Sequence, residues 1–162
     1  MSEGSPVVGH TRSVGIDLGS RRIGVAMSDS AGVLATPYTI IERSGDPGAD
    51  RRAIAAVVAE IGAGRVVVGL PLSLSGARGR AAEAAVAEAK ALADELDVPV
   101  VLQDERLSTV EAERRRRALS IPDKRRQSVP AGRKAPVDDV AAAVLLQAWL
   151  DSAERSGPEL ER

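Results

Sequence analysis

Apolar residues gather first in short runs and only later recur at helical spacing, and that order predicts the architecture. Residues 14–18 (VGIDL) form an apolar run broken only by Asp17, and 23–27 (IGVAM) follow after the turn-like Gly19-Ser20-Arg21-Arg22. Residues 33–41 (VLATPYTII) read as a third strand, β-branched and bounded by Gly32 and the polar stretch from Glu42 to Gly45. Tight connections between the three predict an antiparallel meander. The period then changes. Asp46 and Pro47 supply an N-cap and a proline in the first turn, and Ile54, Val57, Val58 and Ile61 share one helical face. Residues 65–70 (RVVVGL) are a continuous apolar run, as in a strand buried on both faces. Ala81 to Leu96 is an Ala-rich helix, and 98–102 (VPVVL) is the next buried strand, with Pro99 at its start where a missing donor is tolerated.

Ser108-Thr109-Val110-Glu111 matches a capping box and opens an Arg-studded helix to about Leu119. Ser120 to Pro136, with three prolines and a glycine, reads as a mobile basic loop. Val137 to Ala153 is a final amphipathic helix, with Val140, Val144 and Leu145 on its core stripe and Asp138 and Asp139 in its first turn. The expected organisation is a flexible extension over 1–12, a single domain over 13–153 and a tail over 154–162. Three strands followed by alternating helices and strands predict an α/β fold. Its sheet is mixed and five-stranded, three antiparallel strands then parallel strands, flanked by helices. Functional residues in such sheets gather beyond the carboxyl ends of parallel strands. That places Asp17, Leu70-Pro71 and Asp104-Glu105 at one edge.

Composition narrows the chemistry. At 162 residues the chain suits one domain, able to bury roughly 70% of its unfolded surface. Tyr38 and Trp149 are its two aromatics, which argues against an aromatic stacking platform for RNA. It has no cysteine, and His10 is its single histidine, so thiol nucleophiles, thiolate zinc sites and a Ser/His/Asp triad lack their parts. Catalysis must run on carboxylates, Lys/Arg and hydroxyls. No apolar stretch of about 18 residues occurs, and the expectation is a soluble, cytoplasmic protein without a membrane partner.

The formal net charge of -1 hides a polarity along the chain. Ala81 to Glu105 holds seven acids against one base, whereas Arg106 to Lys134 holds ten bases against three acids. A carboxylate inside an apolar strand costs several kcal/mol unless it is paired or binds a metal, which is the situation of Asp17. Gly19 beside it reads as room for a ligand to approach. Singly, Asp17 could bond its turn, Glu105 could pair with Arg106, and Asp138 could cap the last helix. Together, three acids from two strand ends and a helix start suit Mg²⁺ or Mn²⁺, two ions of which activate a water against a phosphodiester. The basic block would then hold a polyanion through Arg114, Arg115, Arg116, Arg117, Arg125, Arg126, Arg133 and Lys134.

Four blocks carry a family resemblance. GIDLGSRRIGVAMSD, VVVGLPLSLSG, DERLSTVEAE and KAPVDDVAAAVLLQAWL, in that order over about residues 13–151, resemble the YqgF/RuvX family. The resemblance implies an RNase H-like fold and an activity described as Holliday junction resolvase-like and as pre-16S rRNA 5'-end processing. It places the family's metal-binding acids on Asp17, Glu105 and Asp138, with Asp139 a further candidate ligand. Arg106 joins the expected phosphate contacts. In the second block, Ser73-Leu74-Ser75 stand where the family more usually has Asn-Met-Asp. The function expected is a metal-dependent, structure-selective endonuclease acting on an rRNA precursor in ribosome biogenesis. Junction resolution in DNA, which calls for a homodimer, is the alternative, and a non-catalytic nucleic-acid-binding module is the third reading. An actin or sugar-kinase type ATPase, whose first phosphate loop DLGSRRIGVA also resembles, needs two domains and far more chain.

Overall fold

The computed structural model of the chain describes residues 11–72, 77–105 and 139–152. In chain order the elements are β1 (Ser13–Leu18), β2 (Arg22–Ser28), β3 (Ala35–Glu42), α1 (Pro47–Ile61), β4 (Arg65–Leu70), α2 (Arg80–Glu95), β5 (Val100–Asp104) and α3 (Asp139–Asp151). They build a five-stranded sheet in the order β3-β2-β1-β4-β5. The β1–β2 and β2–β3 pairs are antiparallel, and the β1–β4 and β4–β5 pairs are parallel. The meander and the parallel half therefore meet at β1. Val66, Val67 and Val68 of β4 are fully buried, as its unbroken apolar run requires.

The two faces of the sheet are covered differently. Val14, Ile16, Val66, Val68, Val100 and Leu102 point to one face and pack with Ile54 and Val58 of α1 and Leu92 of α2. Asp46 caps α1 by accepting from the Gly48 N–H at 3.0 Å, and Gly62, at φ +69°, closes it. On the other face Ala26, Val67 and Val101 meet Ala142, Leu146, Trp149 and Leu150 of α3.

Three expectations shift. The third strand begins at Ala35, because Val33 and Leu34 donate their N–H groups to Asp29 Oδ1 in the preceding turn. Both side chains are exposed there. The fifth strand runs from Val100 to Asp104, later than 98–102, and Pro99 precedes it, accepting from Val66 N–H. On α3 the core stripe is Ala142, Leu145, Leu146 and Trp149, while Val140 is 54% exposed. Two residues before Ala142, Val140 lies nearly opposite it on the helix, so only Leu145 of the expected stripe is fully buried. The Arg-studded helix and the basic loop fall outside the described residues.

Candidate active site

Strand alternation delivers Asp17 to the α3 face. Val14 and Ile16 belong to the core under α1 and α2, so Gly15 and Asp17 point the other way. Gly15 carries α3 itself: a Cβ there would stand 2.7 Å from Leu146 Cβ and 3.0 Å from the Ala142 carbonyl oxygen. In the parallel register Ile16 faces Val68, which sets Asp17 beside Gly69 at the next step. A Cβ on Gly69 would stand 2.5 Å from Glu105 Oε1 and 3.1 Å from Leu145 Cδ2. Glu105, one residue beyond β5, thus lays its carboxyl across β4 toward Asp17. Burial, then the charges of Asp17 and Asp104, push the Glu105 carboxyl above its usual range.

The direction of α3 matters to this edge. Leu145 lies at Gly69, near the carboxyl end of β4, while the Trp149 ring lies 5.2 Å from the Arg65 guanidinium at the strand's start. The helix therefore begins at the edge where the carboxylates stand, with Asp139 one turn before Ala142, and its N-terminal partial charge favours anions there.

Asp17, Gly19, Ser20, Arg21, Arg22 and Gly24 line a cleft of about 270 Å³. Gly19 has a different task from the one its position suggests. A Cβ there would collide with the Arg22 carbonyl oxygen, so the missing side chain lets the β1–β2 turn close, with Gly19 N–H donating to Asp17 O at 3.1 Å. Arg43 steadies the same turn by donating from Nε to Gly19 O at 2.8 Å. Behind it Asp50, only 3% exposed, accepts from the Ser44 N–H at 2.9 Å and the Ser44 hydroxyl at 2.8 Å. Those bonds, the backbone one foremost, hold the Asp50 carboxyl below its usual range, with Arg43 Nη1 3.9 Å away.

Of the residues nominated from sequence, Asp17 and Glu105 are brought together. Asp138, Arg106, Arg114, Arg115, Arg116, Arg117, Arg125, Arg126, Arg133 and Lys134 lie outside the described residues. Among the described residues, no group of three or more His, Asp or Glu side chains is arranged to hold one metal ion. Gly69 was not nominated, although a glycine inside a β-branched strand is a recognised sign of close approach. Arg43 and Asp50 sit in a connection and a first helical turn, and no sequence pattern marks them.

Comparison with known proteins bears on the family and the fold. The chain is 45% identical over 152 residues to a protein of Rhodococcus opacus (strain B4) named "Putative pre-16S rRNA nuclease", covering 91% of this chain and 82% of that one. It is 51% identical over 142 residues to a protein of the same name from Thermobifida fusca, covering 87% of each. Among solved structures, T. thermophilus RuvC in complex with a Holliday junction substrate superposes with a TM-score of 0.63 at 15% identity, over 93% of this chain and all of that one. The fold is therefore RNase H-like, of the RuvC type. No described helix is long and apolar enough to cross a membrane. The model of the RuvX family, described as Holliday junction resolvase, matches residues 11–152, and the chain belongs to that family.

Proposed function

We propose that the chain is a divalent-metal-dependent endonuclease that trims the 5' end of pre-16S rRNA, with Asp17, Glu105 and Asp138 as its metal ligands. The observation that carries the reading is the convergence of Asp17 and Glu105 over Gly69, at the end of the sheet where α3 begins. Each of these carboxylates, one of them half-buried, raises the other's affinity for positive charge. Their hard oxygen donors fit Mg²⁺ or Mn²⁺. Two such ions, when bound, supply activation of a water and stabilisation of the leaving oxygen.

The chain's own part is placement. Gly69 leaves the space in which the Glu105 carboxyl lies, and the Gly19 turn, tied back by Arg43, fixes the strand end that carries Asp17. Arg21 and Arg22 line the cleft beside Asp17 and supply positive charge for the phosphates flanking the cut. Arg106, Arg114 to Arg117, Arg125, Arg126, Arg133 and Lys134 extend that grip along the substrate.

The family's description favours a second reading, resolution of four-way DNA junctions, which calls for two copies of the chain on one junction. One experiment separates them: digestion of an rRNA precursor and of a four-way junction side by side, with Mg²⁺, with Mn²⁺ and with chelator, and with Asp17→Asn as control. Metal-dependent cutting of the precursor at its 5' side, absent in the variant, is the expected result. Junction cutting alone would favour the second reading, and no cutting of either would leave a nucleic-acid-binding module.

A further inference from the structure

Among the described residues the buried polar side chains are those of Ser13, Ser28, Asp50 and Gln103, and Asp50 alone of these is charged. A buried charge persists where it is paired and hydrogen-bonded. Asp50 Oδ1 takes both bonds from Ser44, and Oδ2 faces Arg43 Nη1 at 3.9 Å. The carboxylate sits in the first turn of α1 and does not line the cleft beside Asp17. Its path to that cleft runs through Arg43.

Arg43 is the first residue after β3, and it grips the β1–β2 turn twice. Its backbone N–H donates to Arg21 O at 2.9 Å, and its Nε donates to Gly19 O at 2.8 Å. The two bonds fall on either side of Ser20. A guanidinium suits the task, because its rigid fork donates to one acceptor while another edge faces a carboxylate. The residues it holds have few other restraints. Asp17 pairs with Gly24 and Leu18 with Ile23 in the β1–β2 ladder, whereas Gly19, Ser20 and Arg21 lie beyond its last pair. Arg22 is again in register, with Glu42 of β3.

We propose that Asp50 is a positioning residue for substrate binding: by holding the Arg43 guanidinium it sets the β1–β2 turn so that Arg21 meets a substrate phosphate. Asp17 has its ladder besides, so the clamp bears on the grip more than on the chemistry. The phosphate rests on the nuclease reading, whereas the hold on the turn stands on the bonds of Arg43 and Asp50. Long-range electrostatics alone predicts the opposite sign. Neutralising Asp50 removes a negative charge and should tighten a polyanion, whereas loss of positioning should loosen it.

The full chain is titrated with the rRNA precursor and with the four-way junction in chelator, and the tighter of the two carries the comparison. Asp50→Asn keeps an oxygen for Ser44 and drops the charge. Per folded molecule it should bind about three- to tenfold more weakly than the wild type. Its affinity should also fall less steeply with salt, as in Arg21→Gln, since one phosphate contact is lost in each. Asp50→Asn combined with Arg21→Gln should bind no more weakly than Arg21→Gln alone. With Mg²⁺, KM should rise while kcat changes less. Amide exchange should quicken at Ser20 and Arg21 and stay at the wild-type rate at Ile23 and Gly24. Arg43→Lys, which preserves net charge but not the fork, should behave in the same way and serves if Asp50→Asn does not fold. Unchanged or tighter binding, or losses that add in the double variant, would overturn the positioning role whatever happens to the melting temperature. Wild-type exchange at Ser20 and Arg21 in both variants would overturn the clamp itself. Faster exchange there in a chain whose wild type binds neither nucleic acid would overturn the nuclease reading, and the substrate part with it.

Discussion

The two faces of the sheet are built to opposite rules. Under α1 and α2 the strands present Val14, Ile16, Val66, Val68, Val100 and Leu102, large branched side chains that fill a continuous core. Under α3 they present Val67 and Val101 beside the small Gly15, Ala26 and Gly69, with Asp17 and, just beyond β5, Glu105 at one end. Small residues let α3 come down onto the strands, and the room left at one end goes to carboxylates rather than to methyl groups. The first face makes stability. The second trades some of it for a candidate site, since like charges gathered at a half-buried edge repel one another.

That contrast can be broken most decisively at the acids. Asp17→Asn and Glu105→Gln should each lower cleavage of an rRNA precursor by at least about 100-fold while the far-ultraviolet circular dichroism stays native. Full cleavage by both variants would remove the site from this face. Ile16→Ala, one residue from Asp17 but pointing the other way, should do the reverse. It should cost about 2–5 kcal/mol in urea unfolding and leave cleavage per folded molecule close to wild type.

The two glycines sharpen the comparison within one face. Gly15→Ala pushes a methyl into Leu146 Cβ and the Ala142 carbonyl, groups that cannot move unless α3 does, and should cost about 1–3 kcal/mol. Gly69→Ala meets first the far end of the Glu105 side chain, which can swing away. It should unfold at nearly the wild-type denaturant concentration yet cleave poorly, because the carboxyl has been turned out of place. Equal stability losses in the two variants would contradict this division.

The smallest expected effect is on pH dependence. The Glu105 carboxyl is raised in the folded chain above its ordinary value of 4.5. Between that value and the raised one the folded state binds more protons than the unfolded state, so stability falls as pH rises through the window. Without metal, Glu105→Gln should therefore melt with the wild type near about pH 4 and above it near about pH 7. Adding Mg²⁺ should lift the wild type more than the variant. Asp50 runs the other way: its carboxyl is held low, so its contribution is present above the ordinary aspartate value and is lost as pH falls through the lowered one.

The elements that were legible in the sequence are those whose side chains answer to one neighbour at a time. The strand of Val66 to Val68 read directly, because burial on both faces leaves no polar position between apolar ones, and the first strand read the same way with Asp17 its one interruption. The Asp46-Pro47 start of α1 read as well, being a local matter of one carboxylate and one N–H. The start of the third strand differs from the sequence reading because Val33 and Leu34 look like strand residues, yet the Asp29 side chain, four and five positions back, accepts from their N–H groups. Val140 was placed in the core on its apolarity, but the helix's rotation is set by the flat strand at Gly15, a contact more than a hundred residues away. Gly69 and Arg43 were silent for the same reason: each makes sense only beside a residue from another element.

Trp149 gives α3 a voice of its own. It is the single tryptophan, 2% exposed, on the helix that begins at the carboxylate edge, with the Arg65 guanidinium across its ring. All indole emission from the protein therefore comes from one buried position, four turns at most from the acids. Seated, the ring should emit at short wavelength. Any lifting of the helix, whether by a substitution at Gly15 or by loss of the charges at its start, should reach the detector as a red shift before the sheet itself has begun to melt.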